Sequence, residues 1–91
     1  METLTKTEKQ QLRDSGYSAA DVSEISSMIK KTSYALVTEK NEKLTISEKE
    51  AIKRLGRDEW IRGICRSVFY TETTRYGLNG ERLHLYTKNY S

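Results

Sequence analysis

The sequence predicts an α+β fold that is mainly helical, and three observations carry the prediction. Helix-starting chemistry occurs three times, at Thr5-Lys6-Thr7-Glu8, Ser18-Ala19-Ala20-Asp21 and Ser47-Glu48-Lys49-Glu50. Proline, which removes a backbone donor and breaks helices, is absent from all 91 residues. Near the C-terminus, Asn79-Gly80 separates two runs of alternating polar and apolar residues, the mark of a β-hairpin. Four helices follow, with a helix-turn-helix-like pair among them, and then one antiparallel C-terminal hairpin.

The first helix is expected near residues 5–15. In a capping box the Thr5 hydroxyl accepts from the Glu8 N–H while the Glu8 carboxylate reaches back to the Thr5 N–H. Gly16 suits the helix end. The second helix is expected from about 18 to 40. Ser18 caps it, Asp21 favours its dipole, and Tyr17 packs on Val22 as a hydrophobic staple. Val22, Ile25, Ile29 and Leu36 then share one face, with Met28 and Val37 beside it. Residues 41–43 read as a solvated loop leading to Leu44 and Ile46.

Residues 47–70 hold the helix-turn-helix-like pair. The third helix opens with a second capping box at Ser47 and Glu50 and buries Ala51, Ile52 and Leu55. The fourth, near 58–70, carries Trp60, Ile61, Ile64, Cys65, Val68 and Phe69, an apolar arc wide enough for the central helix of the core. Gly63 inside it costs about 1 kcal/mol against alanine, which implies close approach of another backbone.

For the hairpin at 73–86, a two-residue type I′ turn at Asn79-Gly80 sets Leu78 opposite Glu81, Tyr76 opposite Leu83, Arg75 opposite His84 and Thr74 opposite Leu85. Alternation then collects Tyr76, Leu83 and Leu85 on a core face. Thr73, Arg75, Arg82, His84, Tyr86 and Lys88 fall on a basic face with interleaved aromatics.

A chain of this length forms one domain, residues 1–91. At 35% hydrophobic and 32% charged residues it is polar for its size, so pairing with itself as a homodimer or with a partner would add stability. Its longest apolar run is Ala35-Leu36-Val37, too short to span a membrane, and the N-terminus lacks a signal-peptide core. One cysteine excludes an internal disulfide framework and fits a reducing cytoplasm. Formal net charge is +3. Residues 1–46 balance seven Lys/Arg against seven Asp/Glu, whereas residues 47–91 hold nine against six. The excess therefore lies on the last helix and the hairpin, where an anionic partner would meet it.

Candidate binding residues follow from that placement. Arg62, Arg66 and Tyr70 form a stripe at i, i+4, i+8 on the fourth helix, with Arg57 at its start and the hairpin face continuing it. Such a surface suits phosphates and bases. The same residues also suit a solvated helix face and a strand whose charges deter aggregation. His84, the only histidine, has Arg75 opposite and no carboxylate to orient it, so an exposed hairpin residue is expected rather than a general base. Cys65 has no metal-ligand spacing and reads as a buried thiol. Gly77-Leu78-Asn79-Gly80 is a turn that does not lead into a helix, so it is no phosphate loop. Tyr70, Tyr76, Tyr86 and Tyr90 gather near the hairpin, either as a contact surface or partly buried beside it. No catalytic, metal or cofactor site is expected.

The stretch Ile46-Ser47 … Glu50-Ala51-Ile52 … Leu55-Gly56-Arg57 … Trp60 … Gly63-Ile64 … Arg66-Ser67 … Phe69, then Arg75 and Gly80, resembles small accessory proteins of phages and integrative elements of Gram-positive bacteria. It covers about half of the chain. Glu50-Ala51-Ile52 … Leu55-Gly56 also resembles the first helix and turn of excisionase-like winged-helix proteins. These resemblances imply a non-enzymatic accessory role beside regulatory and anti-defence genes. The expected function is nucleic-acid binding, to DNA or RNA, through Arg57, Arg62, Arg66, Arg75, Arg82, His84, Tyr86 and Lys88. The alternative is a protein inhibitor of a host defence nuclease, of the anti-CRISPR type.

Overall fold

The computed structural model describes residues 2–88. The fold is α+β, with four helices and a four-stranded antiparallel sheet. In chain order the elements are α1 (Lys6–Asp14), α2 (Ala19–Lys31), β1 (Thr32–Val37), β2 (Lys43–Ile46), α3 (Glu48–Leu55), α4 (Arg57–Phe69), β3 (Glu72–Tyr76) and β4 (Arg82–Thr87). The strand order is β2-β1-β4-β3. One face of this sheet packs on the helices, and the core forms between them. Trp60, Ile64 and Leu55 meet Tyr34, Leu83, Leu85, Ile25 and Ile29, all nearly or fully buried. Inside that core the Trp60 indole donates to the Tyr34 hydroxyl at 2.9 Å, satisfying the polar tips of both rings. Burial pushes the Tyr34 phenol up to about 12.

The cap at Thr5 forms its reciprocal box as expected, and Ser18, expected only as a cap with Asp21 favouring the dipole, forms one with Asp21 as well. At the third, Ser47 Oγ accepts from the Glu50 N–H, but the Glu50 carboxylate is drawn to Arg54 at 2.9 Å instead of to the cap.

The second helix ends at Lys31 rather than near 40. Lys30 and Lys31 occupy its last turn, where cations suit the dipole. Thr32-Ser33-Tyr34-Ala35-Leu36-Val37 follows, a run whose hydroxyl, aromatic and β-branched side chains suit a pleated, half-buried strand. Thr32, Tyr34 and Leu36 face the helices, while Ser33, Ala35 and Val37 face the other way. A turn with Asn41 at φ +63° returns the chain to β2. The solvated loop ends at Glu42, because Lys43 already pairs with Val37.

The hairpin differs in register by one residue. Tyr76 lies opposite Arg82, Arg75 opposite Leu83 and Thr74 opposite His84. The Gly77 N–H reaches the Glu81 carbonyl at 2.7 Å, and the Gly80 N–H reaches the Gly77 carbonyl at 3.0 Å. Gly80 has φ +83°, and Asn79 is not among the positive-φ residues. This is a three-residue loop with glycine in the bulge position, not a two-residue type I′ turn. Leu83 and Leu85 keep the core face and Arg82, His84 and Tyr86 the outer one. On β3 the slip reverses both assignments, so Arg75 turns towards α4 and Tyr76 away from it.

Gly63 makes that reversal possible. A Cβ there would stand 2.6 Å from Leu85 Cδ2 and 3.3 Å from Arg75 Cγ. The close neighbours are thus hairpin side chains rather than a backbone. The Arg75 stem lies over the bare glycine while its guanidinium reaches Glu59, so the partly buried charge is paired.

Candidate nucleic-acid interface

The face of the sheet turned away from the helices is its outer face. Residues alternate across a strand and neighbours in adjacent strands share a face. From β2 to β3 the outer face therefore presents Lys43 and Thr45, then Ser33, Ala35 and Val37, then Arg82, His84 and Tyr86, then Glu72, Thr74 and Tyr76. Ala35 and His84 are buried without belonging to the hydrophobic core cluster. Lys43, Thr45, Glu72, Thr74 and Tyr76 are exposed, Tyr76 by 65%.

Three of the eight expected site residues, Arg82, His84 and Tyr86, lie there. Arg82 donates to the Thr38 carbonyl at 3.0 Å and to Asn41 Oδ1 at 2.9 Å, so its partners are neutral and its charge stays uncompensated. The His84 and Tyr86 rings stack with centroids 5.5 Å apart and planes inclined by 27°. Lys88 follows directly on β4 and is exposed. Contrary to expectation His84 is not exposed, at 7%, and it does have a carboxylate: Nε2 lies 3.0 Å from Glu72 Oε2. The register accounts for both. It sets His84 beside Thr74 rather than Arg75, and Glu72 beside Tyr86, one step along the same face.

Arg62 and Arg66 lie elsewhere, since α4 packs on the opposite side of the sheet. Both are exposed beside a groove of about 760 Å³ between α1 and α4, whose apolar lining includes Leu12, Ile61, Cys65 and Phe69. Arg62 stands 3.9 Å from Glu59, and the Arg66 guanidinium lies 5.2 Å from the Tyr70 ring centre. Phe69, expected in the core arc, is 72% exposed. Cys65 is buried, and burial pushes its thiol pKa up, away from the reactive thiolate.

The remaining two arginines are engaged within the chain. Arg57 donates to both oxygens of Glu8, to Glu2 and to the Thr3 carbonyl at 2.6–2.9 Å, with its guanidinium 4.8 Å from the Trp60 ring centre. That arrangement holds the Glu8 carboxyl down at about 2 and pushes the Arg57 pKa further up. Arg75 is bound by Glu59 on the helix side. The continuous basic surface expected from helix to hairpin is thus two surfaces on opposite sides of the sheet.

Ala35, Lys43, Thr45 and Glu72 join the site without having been singled out, and Tyr76 moves onto it from the expected core face. Reading residues 18–40 as one helix hid β1, and with it the partner that makes 43–46 a strand. The alternation of Tyr34 and Leu36 with Ser33, Ala35 and Val37 was the available signal, answered by Leu44 and Ile46 against Lys43 and Thr45. Tyr70 lies at the end of α4, Tyr76 and Tyr86 lie on the outer face, and Tyr90 falls outside the described residues. Among those residues no group of three His, Cys, Asp or Glu is placed to hold a metal ion, and no helix is long and apolar enough to cross a membrane. Compared with family models, curated sequences and solved structures, the chain matches none.

Proposed function

We propose that this chain is a small non-enzymatic accessory module of a phage or mobile element, acting in the cytoplasm, and that it binds single-stranded nucleic acid on the outer face of its sheet. The observation that carries the reading is that face itself: Tyr76 and Tyr86 share it with Lys43 and Arg82, and exposed Lys88 follows on the end of β4. Unpaired bases stack on exposed aromatic rings for about 1–3 kcal/mol each, and neighbouring cations hold the phosphates. A four-stranded face suits a splayed strand better than a duplex, whose major groove admits a helix or a two-stranded ribbon.

The helix-turn-helix reading draws less support. Recognition helices meet DNA with their N-terminal residues. The first turn of α4 instead carries Asp58 and Glu59, which repel phosphate, and its Arg57 is held by Glu2 and Glu8.

One observation favours the protein-inhibitor alternative. Exposed Phe69 beside Arg62 and Arg66 has the aromatic and arginine composition of protein interfaces.

Titrating labelled single strands and duplexes across a salt series separates the two readings. With Lys43, Arg82 and Lys88 as phosphate contacts, the log–log slope for a single strand is expected near −2, since each contact contributes about −0.7. Lys43→Ala and Lys88→Ala should each flatten the slope by about 0.7, and Arg62→Ala with Arg66→Ala should leave it unchanged. Absence of binding to either form at low salt would transfer the proposal to the protein partner.

A further inference from the structure

The outer face is not level. Ala35 is its smallest side chain away from the edges, set between Thr45 on β2 and His84 on β4, with larger groups around it. Above it opens a depression of about 240 Å³ lined by Lys43, Thr45, Glu72, His84 and Tyr86. That volume lies below the range of pockets for drug-sized ligands, and it suits a single flat ring system. One wall is the Tyr86 ring, held by its stacking on His84. The Glu72 side chain is oriented by its contact between Oε2 and His84 Nε2, which leaves Oε1 to accept from a ligand.

Resting on the strand-binding reading above, we infer that this depression holds one unpaired nucleobase bearing an exocyclic amine, in preference to thymine or uracil. An ionised carboxylate accepts hydrogen bonds and cannot donate them. Cytosine N4 offers amine hydrogens to such a group, and glutamate accepting from it is an established mode of base readout. Adenine and guanine carry amines as well. Thymine and uracil carry their one ring N–H between two carbonyl oxygens, which an approaching carboxylate repels. Tyr86 supplies the stacking that every base can use. Lys43, at the far side of the depression from Glu72, is free to meet a phosphate.

The test is fluorescence anisotropy with labelled oligo(dC) and oligo(dT) of equal length, at low ionic strength and neutral pH, on the full chain. Native protein is expected to bind oligo(dC) about tenfold more tightly than oligo(dT), within the range of one good base contact. Glu72→Gln should erase the preference without weakening oligo(dT), because the amide offers a donor as readily as an acceptor. Ala35→Val, a β-branched substitution suited to a strand, should fill the depression and bring both oligomers to one weaker affinity. Thermal melts of both variants should stay close to that of the native protein, since neither residue belongs to the cluster that joins sheet and helices. Equal affinity for the two oligomers, with binding that still depends on salt and on Tyr86, overturns the base pocket and spares the strand-binding reading. No binding to either oligomer overturns both.

Discussion

Glu8 receives two hydrogen bonds from Arg57, at 2.8 and 2.7 Å, although the two residues are 49 positions apart. The pair ties α1 and the segment before it to the start of α4, and it removes Arg57 from any surface available to an anion. Because the folded-state Glu8 pKa is lowered from 4.5 to about 2, the stability it confers is fully present above pH 4.5. That contribution is lost as pH falls through about 2. Glu8→Gln is expected to cost about 2 kcal/mol at neutral pH, as for a hydrogen bond to a charged group. The native and variant denaturant midpoints should converge as pH drops from 4.5 towards 2, and a gap independent of pH would contradict the assignment. Local patterns announced Arg57 as a cation at a helix start, and that position is correct. They could not reveal Glu8 or Glu59 as partners, because sequence separation conceals which charges meet. Arg62 and Arg66 were legible as exposed because i, i+4 spacing on a helix is a local property.

The elements were readable where their chemistry is local. All three hydroxyl caps occur where expected, and α3, α4 and the two strands of the hairpin fall within a few residues of their expected bounds. The end of α2 was missed because Leu36 and Val37 continue a helical stripe in register, and only the β-branched and aromatic neighbours argue otherwise. The turn type was missed because Asn-Gly serves both a type I′ turn and a loop ending in a glycine bulge. These turns make opposite demands on Asn79. In the observed loop only Gly80 needs positive φ, so Gly80→Ala should cost about 1–2 kcal/mol, the penalty for a side chain in the left-handed region. Asn79→Ala should cost far less. Comparable losses for both in chemical denaturation would restore the type I′ turn, and with it Arg75 on the outer face.

At the scale of the molecule, the helices among the described residues lie on one side of the sheet and none lies on the other. One layer supplies the core, and the opposite face is left free to evolve as a surface. Composition and charge location pointed to the C-terminal half, and β4 does carry Arg82, His84 and Tyr86. The contribution of β1 and β2 was missed: alternation over 33–37 and 43–46 marks the strands, but their place beside β4 is not a local property. The proposed function requires that ligand meet the outer face and not the α1–α4 groove. The most direct measurement is an amide nitrogen–proton correlation spectrum recorded as a single-stranded oligonucleotide is added at low salt. Shifts should concentrate at residues 33–37, 43–46, 72–76 and 82–88, while 8–15 and 58–69 stay in place. Shifts confined to 8–15 and 58–69, or none in either set, would contradict it.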